Sequence, residues 1–178
     1  MNLYRVLSCL FLSLVLFSCS KEGKPNETHF FSAAWEFKQE AKEDWLPAKV
    51  PGNVFQDLQD QLLIDDAYYR DEITKQDWVA SEDWVYKTNF DIAPEWMERS
   101  HIELSFDGLD TYADVLLNGE NILLANNAFI EWSKEVKDLL KERNNELTVH
   151  FHSPEKQSEE LSYFDNTSNS STKMYNRK

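Results

Sequence analysis

The chain is poor in glycine: Gly23, Gly52, Gly108 and Gly119 are the only four among 178 residues. A phosphate-cradling loop or a dinucleotide fingerprint needs several glycines at fixed spacing, so neither can be written here. Basic charge is also scarce. Eighteen Lys and Arg stand against 32 Asp and Glu, a net charge of −14 with no basic stripe. Such a chain repels phosphate backbones, and nucleic acid is not an expected partner. Cysteine is confined to Cys9 and Cys19, so the body offers no cysteine nucleophile, and no Gly-x-Ser-x-Gly elbow occurs. Apolar residues, by contrast, make up 42% and aromatics 13%, enough to fill the core of one domain.

The N-terminus explains the cysteines. Arg5 is the only charge before Lys21, and the apolar run from Val6 to Phe17 has the length of a signal-peptide core. A spanning helix needs about 20 residues. The run ends in Leu16-Phe17-Ser18-Cys19, which resembles the bacterial lipoprotein box. That resemblance implies removal of residues 1–18 and acylation of Cys19. Several acyl chains on one cysteine hold a protein stably on a membrane. The expected location is therefore the bacterial cell envelope, lipid-anchored at the outer membrane on its periplasmic side or at the cell surface. With Cys9 lost, no structural disulfide remains. Residues 19–28 read as a polar tether.

Residues 29–153 form one block dominated by strand signals. His101 to Asp107 and Glu146 to His152 alternate polar and apolar throughout, as half-buried antiparallel strands do. Thr111 to Leu117 places Ala113, Val115 and Leu117 on one face, and Asn118-Gly119 predicts a tight type I′ hairpin with Ile122-Leu123-Leu124 returning. Trp84 to Phe90 is a further aromatic, β-branched strand. Helix is minor: Asn53 caps a short helix with Val54, Phe55, Leu58, Leu62 and Leu63 on one side, and Val136 to Lys141 forms a turn or two. The pattern predicts an all-β protein, a jelly-roll-type β-sandwich with one or two short helices. Residues 154–178 read as a truncated, flexible tail rich in Ser, Asn, Thr, Lys and Glu.

Several strings occur in a telling order. Trp45-Leu46-Pro47-Ala48-Lys49-Val50-Pro51-Gly52-Asn53-Val54 precedes Asp57-Leu58, then Asp65-Asp66-Ala67-Tyr68-Tyr69-Arg70-Asp71-Glu72, Gln76-Asp77-Trp78-Val79 and Asp83-Trp84-Val85-Tyr86. Phe106-Asp107-Gly108-Leu109-Asp110-Thr111-Tyr112 and Leu117-Asn118-Gly119 follow. From about residue 33 to 153 this resembles the N-terminal, sugar-binding-like (galactose-binding-like) sandwich of β-mannosidases in glycoside hydrolase family 2. Ala67 stands where that family usually has Pro, and an expected Arg is missing near Ala128-Phe129-Ile130-Glu131. Tyr175-Asn176-Arg177-Lys178 resembles the start of the stretch leading into the sugar pocket. The resemblance implies that an immunoglobulin-like domain and the catalytic barrel would lie beyond residue 178. The expectation is an N-terminal fragment, non-catalytic by itself, of an enzyme that hydrolyses terminal β-mannosides. The alternatives are a stand-alone surface carbohydrate-binding lipoprotein and a remnant of a split gene.

Retaining glycosidases need two carboxyl groups about 5–5.5 Å apart. Adjacent acids such as Asp65-Asp66 point to opposite faces of an extended strand, and Glu27 and Glu146, each following an Asn, lack a barrel around them. No catalytic residue is assigned. Asp107, Asp110 and Asp114 suit a tight connection better than calcium. His101, His150 and His152 suit a solvated strand face better than zinc. No metal or cofactor is expected. Of the six tryptophans, Trp35 and Trp84 read as core, while Trp45 and Trp78 lie in loop-like strings and are the sugar-contact candidates, the ligand being a mannose-containing oligosaccharide.

Overall fold

The computed structural model describes residues 26–30, 33–66 and 75–157. Cys19, the tether up to Pro25, Tyr68 to Glu72 and the tail from residue 158 onward lie outside the described residues. Residues 26–30 belong to a unit of their own and are exposed, without helix or strand. No described helix is long and apolar enough to cross a membrane.

Eight strands run β1 (Trp35–Gln39), β2 (Leu46–Ala48), β3 (Trp84–Phe90), β4 (Glu103–Phe106), β5 (Tyr112–Leu117), β6 (Glu120–Ala125), β7 (Trp132–Glu135) and β8 (Asn145–His152). They form an all-β sandwich: a six-stranded sheet in the order β2-β1-β3-β8-β5-β6 and a two-stranded sheet of β4 and β7. Every pairing is antiparallel. The register stacks Leu46, Phe37, Tyr86, Val149, Val115 and Leu123 in one inward row across the large sheet. Against that row pack Ile102, Leu109 and Val136 from the region of the small sheet, and Leu58 from the helix α1 (Val54–Asp60).

Local chemistry accounts for the joints. Asn118 and Gly119 both take positive φ, 54° and 85°, the handedness a two-residue hairpin turn requires. After the turn the pairing shifts between Val115 and Leu116, so Ile122 is an extra residue. That bulge turns both Ile122 and Ala125 inward and leaves Leu124 at 64% exposure. Asn145, fully buried, accepts from Lys141 N–H (2.8 Å) and Asn118 Nδ2 (3.0 Å) and donates to the Lys141 carbonyl (2.7 Å). It ties the hairpin turn to the start of β8.

The helix α1 begins as its sequence predicts, with Asn53 Oδ1 accepting from Gln56 N–H at 3.0 Å. Its buried face differs from the expected one. Asp57 and Leu58 are buried, whereas Phe55, Leu62 and Leu63 are exposed. The helix stops at Asp60 and Leu62 adopts φ 58°, so the 3.6-residue periodicity that would carry Leu62 and Leu63 to the core is cut short. Buried Asp57 accepts from Lys49 N–H (2.9 Å) and from the Tyr86 hydroxyl (2.8 Å), pinning α1 to β3. Burial and the Asp57 carboxylate push the Tyr86 hydroxyl far above the ordinary phenol range, so it stays a proton donor. The turn expected over Val136 to Lys141 is a 3-10 turn at Lys137–Leu139. A second helix, α2 (Pro94–Met97), and a 3-10 turn at Asp77–Ser81 had no sequence counterpart.

Candidate functional site

A cleft opens where the β4–β5 connection meets the β6–β7 connection. It has a volume of about 450 Å³ and is lined by Asp110, Thr111, Asn126, Asn127, Ala128 and Phe129. Asn127 builds one wall: its Oδ1 accepts from Phe129 N–H (2.9 Å) and its carbonyl from Trp132 Nε1 (3.1 Å). This local turn holds the Phe129 side chain out in solvent, 97% exposed. Across the cleft, Thr111 Oγ1 donates to the Asp110 carboxylate. An aromatic face beside amides and a carboxylate suits a ring that carries both C–H faces and hydroxyls. It does not suit glycoside cleavage. Asp110 is the only acid among the described residues lining it, and retaining hydrolysis needs two about 5–5.5 Å apart. Glu146 is exposed and lines neither this cleft nor the smaller cavity described next, and Glu27 is exposed within residues 26–30.

Neither sugar-contact candidate lines this cleft. Trp45 lies just before β2, half-buried, with Lys87 Nζ 4.0 Å and Lys38 Nζ 5.4 Å from its ring centroid. Those ammonium groups occupy the ring by cation–π attraction. Trp78 sits in the Asp77–Ser81 turn, 41% exposed, at a separate cavity of about 180 Å³. Phe129 was passed over in the sequence, although Asn126-Asn127 ahead of an aromatic in a polar stretch is the signal for it.

The histidines divide between the sheets. His150 and His152 share the outer face of β8 with ring centroids 5.0 Å apart. His152 Nε2 lies 3.2 Å from Asp114 Oδ2, and His150 Nε2 lies 3.3 Å from Glu40 Oε1 but outside hydrogen-bonding geometry. His101 instead stands between Glu103 and Glu135, 3.5 Å from each, at the small sheet. Among the described residues no group of three His, Cys, Asp or Glu could hold a metal ion. Asp83, just before β3, accepts from Ser153 N–H (2.7 Å) and Lys156 Nζ (3.2 Å). Burial works to raise its carboxyl, but those two donors outweigh it and hold the group below the ordinary range.

A family model described as "Glycosyl hydrolase 2 galactose-binding domain-like" matches residues 35–178. "Beta-mannosidase B" of Thermothelomyces thermophilus is 42% identical over 123 residues, covering 67% of this chain and 14% of that protein. The β-mannosidase of Rattus norvegicus is 37% identical over 108 residues, covering 61% and 12%. Among solved structures, the β-D-mannosidase from Dictyoglomus thermophilum superposes with a TM-score of 0.73 at 39% identity, over 80% of this chain and 17% of that one. A β-D-glucuronidase from the same organism, at 19% identity and a TM-score of 0.52, covers 73% of this chain and 21% of that one, and shares the fold alone. The chain spans 12–17% of the length of the three mannosidases. It belongs to the galactose-binding-like N-terminal domains of glycoside hydrolase family 2.

Proposed function

We propose that this domain is the non-catalytic front part of a β-mannosidase-type glycoside hydrolase whose parent reaction is hydrolysis of terminal β-mannosides. The observation that carries the reading is the contrast between two likenesses of one sandwich: 39% identity to a β-D-mannosidase against 19% to a β-D-glucuronidase. The single acid among the described residues of the Asp110–Phe129 cleft supports a role in holding sugar or bracing a catalytic partner domain. The decisive experiment is a chimera. This chain's matching residues replace their counterpart in the Dictyoglomus thermophilum enzyme, and aryl β-mannoside hydrolysis is measured. Turnover is expected in the chimera and none in the 178-residue chain alone. A soluble chimera without turnover, or turnover by the chain alone, defeats the reading.

The same proposal places the domain at the bacterial envelope, anchored by acyl chains on Cys19, with mannose-containing oligosaccharides as its contact. The apolar run ending in Leu16-Phe17-Ser18-Cys19 supports the anchor. Cys19→Ala should shift the protein from the membrane fraction to a soluble or unprocessed form. Unchanged fractionation and mass would remove the anchor from the proposal.

A further inference from the structure

The chain does not leave β8 freely. Residues 154–157 make one helical turn directly after it, and this exit is bonded back to the residues that lead into β3. Ser153, 1% exposed, donates its N–H to Asp83 Oδ1 (2.7 Å) and its hydroxyl to the Ala80 carbonyl (2.7 Å). The same hydroxyl accepts from Lys156 N–H (3.3 Å), and the Ser153 carbonyl accepts from Gln157 N–H (3.1 Å). Lys156 Nζ reaches Asp83 Oδ2 at 3.2 Å, and Ser81 Oγ donates to Glu155 Oε2 at 2.6 Å. The residues on the other side are fixed in turn. The Asp83 carbonyl accepts from Glu40 N–H (2.8 Å), just past β1, and Trp84 Nε1 donates to the Val79 carbonyl at 3.0 Å. The end of β1, the start of β3 and the exit from β8 thus meet at one point.

These bonds differ in weight. Lys156 is half in water, and an ion pair of that kind contributes little. The bonds of Ser153 are enclosed, so breaking them leaves polar groups away from water without partners. One turn of helix has no stability of its own to fall back on. We propose that Ser153 and Asp83 are positioning residues: they make the exit a rigid joint that fixes the direction in which the chain continues, and with it the orientation of the catalytic partner domain. Relative motion is the ordinary state of two linked domains, and a displacement of about 1 Å can cost a catalytic site about a hundredfold. The part concerning the partner domain rests on the front-domain reading, whereas the rigidity of the joint does not.

The test measures backbone amide order parameters and residual dipolar couplings on the full chain. Residues 155–157 should show order parameters of about 0.85, as β3 and β8 do, and their couplings should fit the same alignment. Ser153→Ala combined with Asp83→Ala should drop the values at 155–157 below about 0.6 while the strands keep theirs. Lys156→Ala, which removes only the exposed arm, should change neither. If the double variant does not fold, Ser153→Ala alone takes its place, and the loss should again be confined to 155–157. In the chimera of the preceding section, the same substitutions should lower turnover about tenfold. Order parameters below about 0.6 at 155–157 in the natural chain, a variant whose 155–157 stay rigid, or chimera turnover that the substitutions leave unchanged each overturns the proposal. A chimera inactive before any substitution defeats the mannosidase reading, and the order parameters and couplings then decide the joint.

Discussion

The two sheets of the sandwich make different contributions to one core. In the large sheet, Phe37, Val115, Leu117, Leu147 and Val149 are at most 3% exposed, and Phe37 lies between the rings of Trp84 (6.0 Å) and Tyr86 (5.5 Å). In the small sheet no strand residue is fully buried: β4 alternates exposed and half-buried positions, and only Trp132 of β7 is shielded at all. The nearby core residues Ile102, Leu109 and Val136 come from the flanks of those strands. The large sheet therefore supplies the packed layer, and the small one acts mainly as a backbone clasp that brings neighbouring loops down on it. Of two sheets facing the same core, only one is specified by its own side chains.

The sharpest way to break this comparison is to empty each sheet in turn. Phe37→Ala should cost about 3–5 kcal/mol, because a fully enclosed ring leaves a cavity. Leu104→Ala, half-wet already, should cost only about 1–2 kcal/mol. Denaturant unfolding of both variants checks it, and equal losses would show that the small sheet is a packed layer too. Next comes the polar strut that joins α1 to the large sheet. Tyr86→Phe leaves the buried Asp57 carboxylate without one of its two donors, at a cost of about 1–3 kcal/mol by the same measurement. Gly119→Ala tests the hairpin turn of the large sheet. A Cβ there meets nothing within 4 Å, so the expected loss of about 1 kcal/mol is purely the strain of a positive φ.

The smallest effect concerns pH. The Asp83 carboxyl, held below its ordinary value by Ser153 N–H and Lys156, adds stability that is fully present above the unfolded-state value. That contribution is lost as pH falls through the lower folded-state value. The stability difference between the natural chain and Asp83→Asn should therefore shrink as pH is lowered from about 5 to about 2. Urea midpoints of the two proteins across that range check it.

The same asymmetry governs how much could be read in advance. β8 and the β5–turn–β6 hairpin were legible because alternation and Asn118-Gly119 are local signals, and their side chains pack where the pattern points them. β7 was not. Trp132-Ser133-Lys134-Glu135 is a strand because β4 lends it a backbone partner, and nothing in its side chains announces that. The apolar face assigned to α1 failed at Leu62 because a helix end, set by the backbone, overrode the spacing. At the candidate sites, the loop positions of Trp45 and Trp78 were legible, but the lysines over Trp45 come from β1 and β3 and are a tertiary fact. The burial of Gln76, 4% exposed, was not legible either, because a polar residue in an acidic loop gives no sequence sign of being buried.

The strand order has a consequence for how the domain comes into being. β3 and β5 never touch as neighbours; β8 lies between them and pairs with both along its length. During synthesis the strands β1 to β3 are complete by residue 90, yet their inner edge has no partner until residues 145–152 emerge. At about 5–20 residues per second that wait lasts roughly three to ten seconds. Over this interval the inner edge of β3, and from residue 117 that of β5, stays unpaired. The time for which the emerging chain can find a wrong partner is set by how fast the stretch from Asp91 to Asn144 is delivered behind β3, whether by the ribosome or across a membrane.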